Sequence, residues 1–256
     1  LVGVPIDSDG MNIKALERVV KENPDAKFIY TIPNFQNPGG TTLSLEKRKA
    51  MYEIAKANDL VIVEDNPYGN LRVAGEDVPS IKSFDTDGIV VYAGSFSKIL
   101  APGIRVAYAV VPKEMAGAFT IAKQVSDVHT GVINQMIVSR WFDEYDVDAH
   151  IVKIREIYRH KLNLMCDCLD KYCKGFITYV RPQGGLFIWA KLPDNVDMVD
   201  YVNRLIEQKV AVVPGTAFMI DDTKPCSYIR LNFSTPSDEA IVNGVKIMGE
   251  IAKQYV

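Results

Sequence analysis

"GIVVYAGSFSKILAPGIRVAYAVV", residues 88–111, sets two cations and two hydroxyls between two apolar runs. Ile89–Tyr92 reads as a buried strand, and Val106–Val111 reads as another that ends at Pro112. Between them stand Ser95, Ser97, Lys98 and Arg105, with Pro102-Gly103 as the turn. Charged side chains packed between buried segments need a reason, and the neighbouring strands supply it.

Two further apolar strands end in the same manner. Phe28–Ile32 runs into PNFQNPGG (33–40), and Leu60–Val63 runs into EDNPYGNL (64–71). Helical periodicity is predicted over Ile13–Glu22, which stops before Pro24, and over Leu45–Ala57, entered through Ser44 as an N-cap. Residues 113–145 also read as helical, and Leu1–Pro5 reads as a short strand. Continuous apolar strands between helices predict a mostly parallel sheet covered on both faces, an α/β fold.

Past the long predicted helix Ala149–Tyr172 the pattern changes. Strands are expected at Ile177–Val180, Leu186–Lys191, Ala211–Val213 and Tyr228–Phe233, with helices at Met198–Gln208 and Glu239–Gln254. That is a smaller α+β domain. The expected division is a large domain over 1–145 and a small one over 146–256, the long helix joining them.

Composition narrows the functional classes. The chain of 256 residues has a net charge of −3, which argues against nucleic acid, since neutralising phosphates needs a basic face. No apolar run is long enough to span a bilayer, and no signal peptide is visible. Cys166, Cys168, Cys173 and Cys226 have no zinc-site spacing and read as reduced thiols of a cytoplasmic protein. His129, His150 and His160 have no ligand spacing, so no metal site is expected.

In open α/β sheets, ligands bind outside the carboxyl ends of the strands. Asn37, Asp65, Tyr68, Ser95, Ser97 and Lys98 all follow such ends and are expected to converge on one pocket. A lysine in a mostly apolar pocket loses its proton readily, and its neutral amine attacks aldehydes. Arg105 with Ser95 and Ser97 suits a phosphate, and Asp65 suits a buried cation. An aldehyde, a phosphate and a cationic ring nitrogen together describe pyridoxal 5'-phosphate.

At these residues the chain resembles the class I/II aminotransferases, fold-type I enzymes dependent on pyridoxal phosphate. The likeness is greatest to the branch of 2-aminoadipate and aromatic aminotransferases and the aminotransferase-like domains of GntR-type regulators. PNFQNPGG, EDNPYGNL, GSFSKILAPGIRVAY, PQGGLFIWAKLP and IRLNFS occur in the family's order over essentially the whole chain. The resemblance implies a three-layer large domain, incomplete here, and a smaller α+β C-terminal domain. It implies that Lys98 is the Schiff-base lysine, that Asp65 partners the pyridine nitrogen, and that Tyr68 and Asn37 bond the ring's phenolic oxygen. Ser95 and Arg105, with Ser97, would hold the phosphate. Arg230 would grip the substrate α-carboxylate, with Asn37 beside the substrate. Gly184-Gly185 and Pro214-Gly215 match family turns, while Arg72 and Arg181 are read as surface residues.

The resemblance also marks what is missing. The family's polypeptide begins well before Leu1, and that earlier part carries an N-terminal arm, part of the phosphate cradle, the aromatic that stacks on the ring, and two strands of the large sheet. The chain therefore reads as a fragment that would hold the cofactor weakly by itself. The implied activity is ping-pong transfer of an amino group between an L-amino acid and a 2-oxo acid, in a homodimer. Two alternatives share the motifs: a β-eliminating lyase, and the effector domain of a GntR-type regulator.

Overall fold

The computed structural model describes residues 1–255, and its first unit takes Val4–Asn34 and Thr41–Ile154. It opens on a small hairpin of β1 (Ile6–Asp7) and β2 (Gly10–Met11). Helix α1 (Ile13–Glu22) follows, capped by Asn12, whose Oδ1 accepts from Ala15 N at 2.8 Å. Next come β3 (Phe28–Thr31), α2 (Leu45–Ala57) with Ser44 as its cap, and β4 (Val61–Asp65). Strands β5 (Val90–Ser95) and β6 (Ala107–Val110) lead to helices α3 (Lys113–Ser126) and α4 (Val132–Glu144).

The four strands lie in the order β3-β4-β5-β6; the first three are parallel and β6 is antiparallel. One face is packed: Ile29, Ile62 and Val90 meet Leu16 and Val20 of α1 and Met51, Tyr52 and Ala55 of α2. Each large apolar side chain so buried is worth about 1.5–3 kcal/mol. The spacing 51, 52, 55 is one helical stripe, which is why α2 lies on the sheet rather than apart from it.

The expected strand at Leu1–Pro5 is not formed. A strand is held by its ladder, and among the described residues pairing begins only at Ile6. The Pro5 carbonyl instead accepts from Asn12 N at 2.9 Å, closing the turn into α1. The helical stretch 113–145 is interrupted at residues 127–131, between α3 and α4.

The second unit takes Leu1–Gly3, Phe35–Gly40 and the chain from Arg155 onward, so the division falls within α5 (Val147–Tyr172). Its elements are β7 (Thr178–Tyr179), β8 (Phe187–Lys191), α6 (Met198–Glu207), β9 (Val213–Pro214), β10 (Tyr228–Asn232) and α7 (Asp238–Ala252). The sheet order is β7-β8-β10-β9, antiparallel throughout. Ile188, Ala190, Ile229 and Leu231 form its buried face, and the Tyr201 hydroxyl ties α6 to α7 by donating to Met248 O at 3.0 Å.

No helix among the described residues is long and apolar enough to cross a membrane. No cluster of His, Cys, Asp or Glu among them could hold a metal ion.

Candidate functional site

Strand register brings most of the expected residues of the first unit to one edge of its sheet. Asp65 closes β4 and pairs with Ala93 of β5; Ser95 closes β5 and pairs with Ala107, the first residue of β6. Because β6 runs antiparallel, Arg105, just before its start, lies at that same carboxyl edge. Asp65, Ala93, Ser95 and Ala107 share one face of the sheet, since paired strand residues point the same way. Alanines beside an acid and a hydroxyl leave room for a flat ligand.

The loop after β4 is held from below. Asn66, on the opposite face from Asp65, accepts from Asn34 Nδ2 at 2.9 Å and donates to the Tyr92 hydroxyl at 3.0 Å. Asn34 in turn accepts from Arg48 Nη2 at 2.6 Å. Tyr68 is buried, and its carbonyl accepts from Leu71 N at 2.8 Å as the loop enters the 3-10 turn Gly69–Leu71. Asp65 itself accepts a bond from Tyr30, whose hydroxyl lies 2.6 Å from Oδ2.

Arg48 is fully buried and spends its guanidinium on five acceptors: the carbonyls of Leu43, Val78, Pro79 and Pro33, and the Asn34 amide oxygen. Burial pulls its ionisation down to about 10, against the opposing pull of the Glu64 carboxylate, so it remains charged at neutral pH. Glu64 is also fully buried, accepting from Ile81 N and Lys82 N at 2.9 and 2.8 Å; burial raises its pKa.

In the loop after β5, Ser97 N donates to Ser95 Oγ at 3.1 Å, which leaves the Ser95 hydroxyl hydrogen for another acceptor. Lys98 lies in this loop, part-buried, before the buried Ile99, whose carbonyl is 2.8 Å from His150 Nε2. Pro102–Ile104 forms a 3-10 turn, and Arg105 leaves it with φ 53°, the left-handed region that non-glycine residues rarely enter. Its Nη1 donates to Pro102 O at 3.2 Å, while Asn134 of α4 holds the turn by donating to Ile104 O at 2.9 Å. The side chain of Arg105 is exposed.

The other two expected residues fall in the second unit and touch each other. Arg230 Nη1 donates to Asn37 Oδ1 at 2.7 Å. Its guanidinium lies over the Phe187 ring at 4.1 Å and near the Phe218 ring at 4.9 Å. Gly185, at φ 73°, lets the strand entry approach Phe35, where an added Cβ would sit 2.6 Å from the Phe35 Cβ. Gly215 lets its turn press on β10, an added Cβ lying 2.5 Å from Tyr228 O. A planar fork already oriented by an amide oxygen and by aromatic rings is suited to a carboxylate.

Arg72 is not a surface residue: it is buried, its Nε 2.9 Å from Asp77 Oδ1 and its Nη1 donating to Ala74 O. Arg181 is exposed, bonded to Asn163. Tyr30, Asn34, Arg48 and Asn66 escape the sequence reading. Only Arg48 carried a legible sign, because it falls in helical phase with Met51, Tyr52 and Ala55 and so had to be buried.

An acid, hydroxyls, an amine and a guanidinium lie along one sheet edge of an α/β unit. The model of the family described as aminotransferase class I and II matches residues 3–247, and the chain belongs to that family. It is 39% identical to aromatic-amino-acid aminotransferase 1 of Thermococcus litoralis, covering 99% of this chain and 61% of that protein. It is 36% identical to 2-aminoadipate transaminase of Thermus thermophilus, covering 98% of this chain and 63% of that protein. The crystal structure of Pyrococcus horikoshii kynurenine aminotransferase, in complex with PMP, KYN as substrates and KYA as products, superposes with a TM-score of 0.94 at 36% identity. That match covers 100% of this chain and 64% of the solved one, so the chain spans about three-fifths of the length of the proteins it matches.

Proposed function

We propose that the whole protein is a pyridoxal phosphate-dependent aminotransferase, moving an amino group from an L-amino acid to a 2-oxo acid in ping-pong fashion. The observation that carries this reading is the register that lines Asp65, Ser95 and Arg105 along one sheet edge, with Lys98 in the loop between the last two. The donor set fits the cofactor: a carboxylate for a cationic ring nitrogen, hydroxyls and a guanidinium for a phosphate, an amine for an aldehyde. When bound, the cofactor supplies an electron-poor ring that stabilises negative charge on the substrate's α-carbon.

The chain's own residues do the rest. Ser95, Ser97 and Arg105 would hold the phosphate, the Ser95 hydroxyl having a hydrogen to give. Asp65 would pair with the cationic ring nitrogen, and Tyr68 and Asn37 would bond the phenolic oxygen. Arg230, oriented by Asn37, binds the substrate α-carboxylate with its planar fork. Lys98 Nζ is the base that moves the proton at the substrate's Cα. A cytoplasmic homodimer belongs to the same reading.

A donor screen on the whole protein tests it, using aromatic amino acids, 2-aminoadipate and kynurenine with a 2-oxo acid acceptor. Transamination by the wild type is expected, and Lys98→Ala is expected to lower turnover by at least about a hundredfold, the scale of a lost general base. Near wild-type turnover by that variant contradicts the mechanism. A 2-oxo acid and ammonia released without an acceptor would favour the lyase alternative. Inertness toward every donor, with amino-acid-dependent DNA binding, would favour the regulator.

A further inference from the structure

We infer that Tyr30 is a positioning residue for Asp65: its hydroxyl grips one carboxylate oxygen and leaves the other for the cation that Asp65 serves. The inference rests on the reading of Asp65 as the partner of a ring nitrogen, and adds a residue to it.

The geometry follows from strand register. Tyr30 pairs with Val63, so Tyr30, Val63 and Asp65 point to the same face, Asp65 one pleat further along β4. A phenol is long enough to span that diagonal, and its hydroxyl reaches Asp65 Oδ2 at 2.6 Å, the length of a charge-assisted O–H···O⁻ bond. The Tyr30 backbone is fixed in the parallel ladder, so the hydroxyl is held in place. Burial first, and the Asp65 carboxylate second, push the Tyr30 hydroxyl far above its ordinary ionisation, so it is a donor at neutral pH. Phe28, two residues earlier on the same face, has no polar tip.

One consequence bears on the cofactor. A carboxylate with one oxygen pinned cannot rotate away from its ligand, the role that outer partners play for ligating groups. Without Tyr30 the Asp65 carboxylate is free to turn from the ring nitrogen it is read to serve.

The test uses the whole protein as wild type, Tyr30→Phe, Asp65→Asn and the double variant. Tyr30 is 49% exposed and Phe keeps its ring, so folding is not at stake, and the thermal midpoint checks this. Cofactor affinity is measured by titrating apoprotein with pyridoxal phosphate, and ring protonation by the ¹⁵N shift of ring-labelled cofactor. Tyr30→Phe is expected to weaken binding about tenfold, as loss of an outer partner does, and to move the ¹⁵N shift toward that of a neutral pyridine. In the Asp65→Asn background the same change is expected to do nothing further, since the two residues act as a unit. Tyr30→Phe leaving both readouts unchanged, or adding its full effect on top of Asp65→Asn, overturns the inference alone. Asp65→Asn leaving both unchanged overturns the Asp65 reading and this inference with it.

Discussion

Asp85 decides where β5 begins. Its side chain is buried and gathers Lys82 Nζ at 2.8 Å, Ile89 N and Val90 N at 3.1 Å each, and the Tyr52 hydroxyl at 3.2 Å. Burial alone would raise its pKa; Lys82 and the two amides outweigh that and carry it below the ordinary aspartate range. The folded-state value therefore lies below the unfolded one. Asp85 contributes its stability above the ordinary range and loses it as pH falls through the folded value. Asp85→Asn is expected to cost about 1–3 kcal/mol at neutral pH, because an amide nitrogen cannot accept what a carboxylate oxygen does. In urea unfolding, the gap between variant and wild type is expected to close in acid. A gap that widens in acid would show that Asp85 acts otherwise.

At the scale of elements, the loop from β3 to α2 is the informative piece. Leu43 N donates to Pro33 O at 2.7 Å, closing a neck, and Arg48 from α2 grips both sides of it through Pro33 O, Asn34 Oδ1 and Leu43 O. The loop so closed carries Asn37. Arg48→Met is expected to destabilise the protein by about 3 kcal/mol or more, stranding buried carbonyls and removing one of the two cations that favour the buried Glu64 carboxylate. Arg48→Lys is not expected to restore it, since one ammonium cannot span five separated acceptors; denaturant midpoints check both. The helix itself was legible in sequence, from Ser44 at its cap to Ala57 at its end. The neck was not, because it is built from backbone carbonyls that every residue has.

Across the whole molecule, what sequence could reach follows covering and pairing. Strands β3, β4 and β5 were legible because Ile29, Ile62 and Val90 are packed against helices, and the polar loops at their ends followed. Parallel register was not legible, and so neither was Tyr30 beside Asp65. Apolar content alone does not show that a face is covered: α3 has no buried residue, and Ile121, Val125, Ile133 and Ile137 are exposed. Periodicity reports that a face is apolar, not what covers it. The proposed function turns on one nitrogen, Lys98 Nζ, and a chemical test of it is sharper than a rate. The whole protein, loaded with pyridoxal phosphate, is reduced with borohydride, digested and analysed by mass spectrometry. A phosphopyridoxyl group is expected on the peptide carrying Lys98. An unmodified Lys98 peptide, or the group fixed on another lysine, would contradict it.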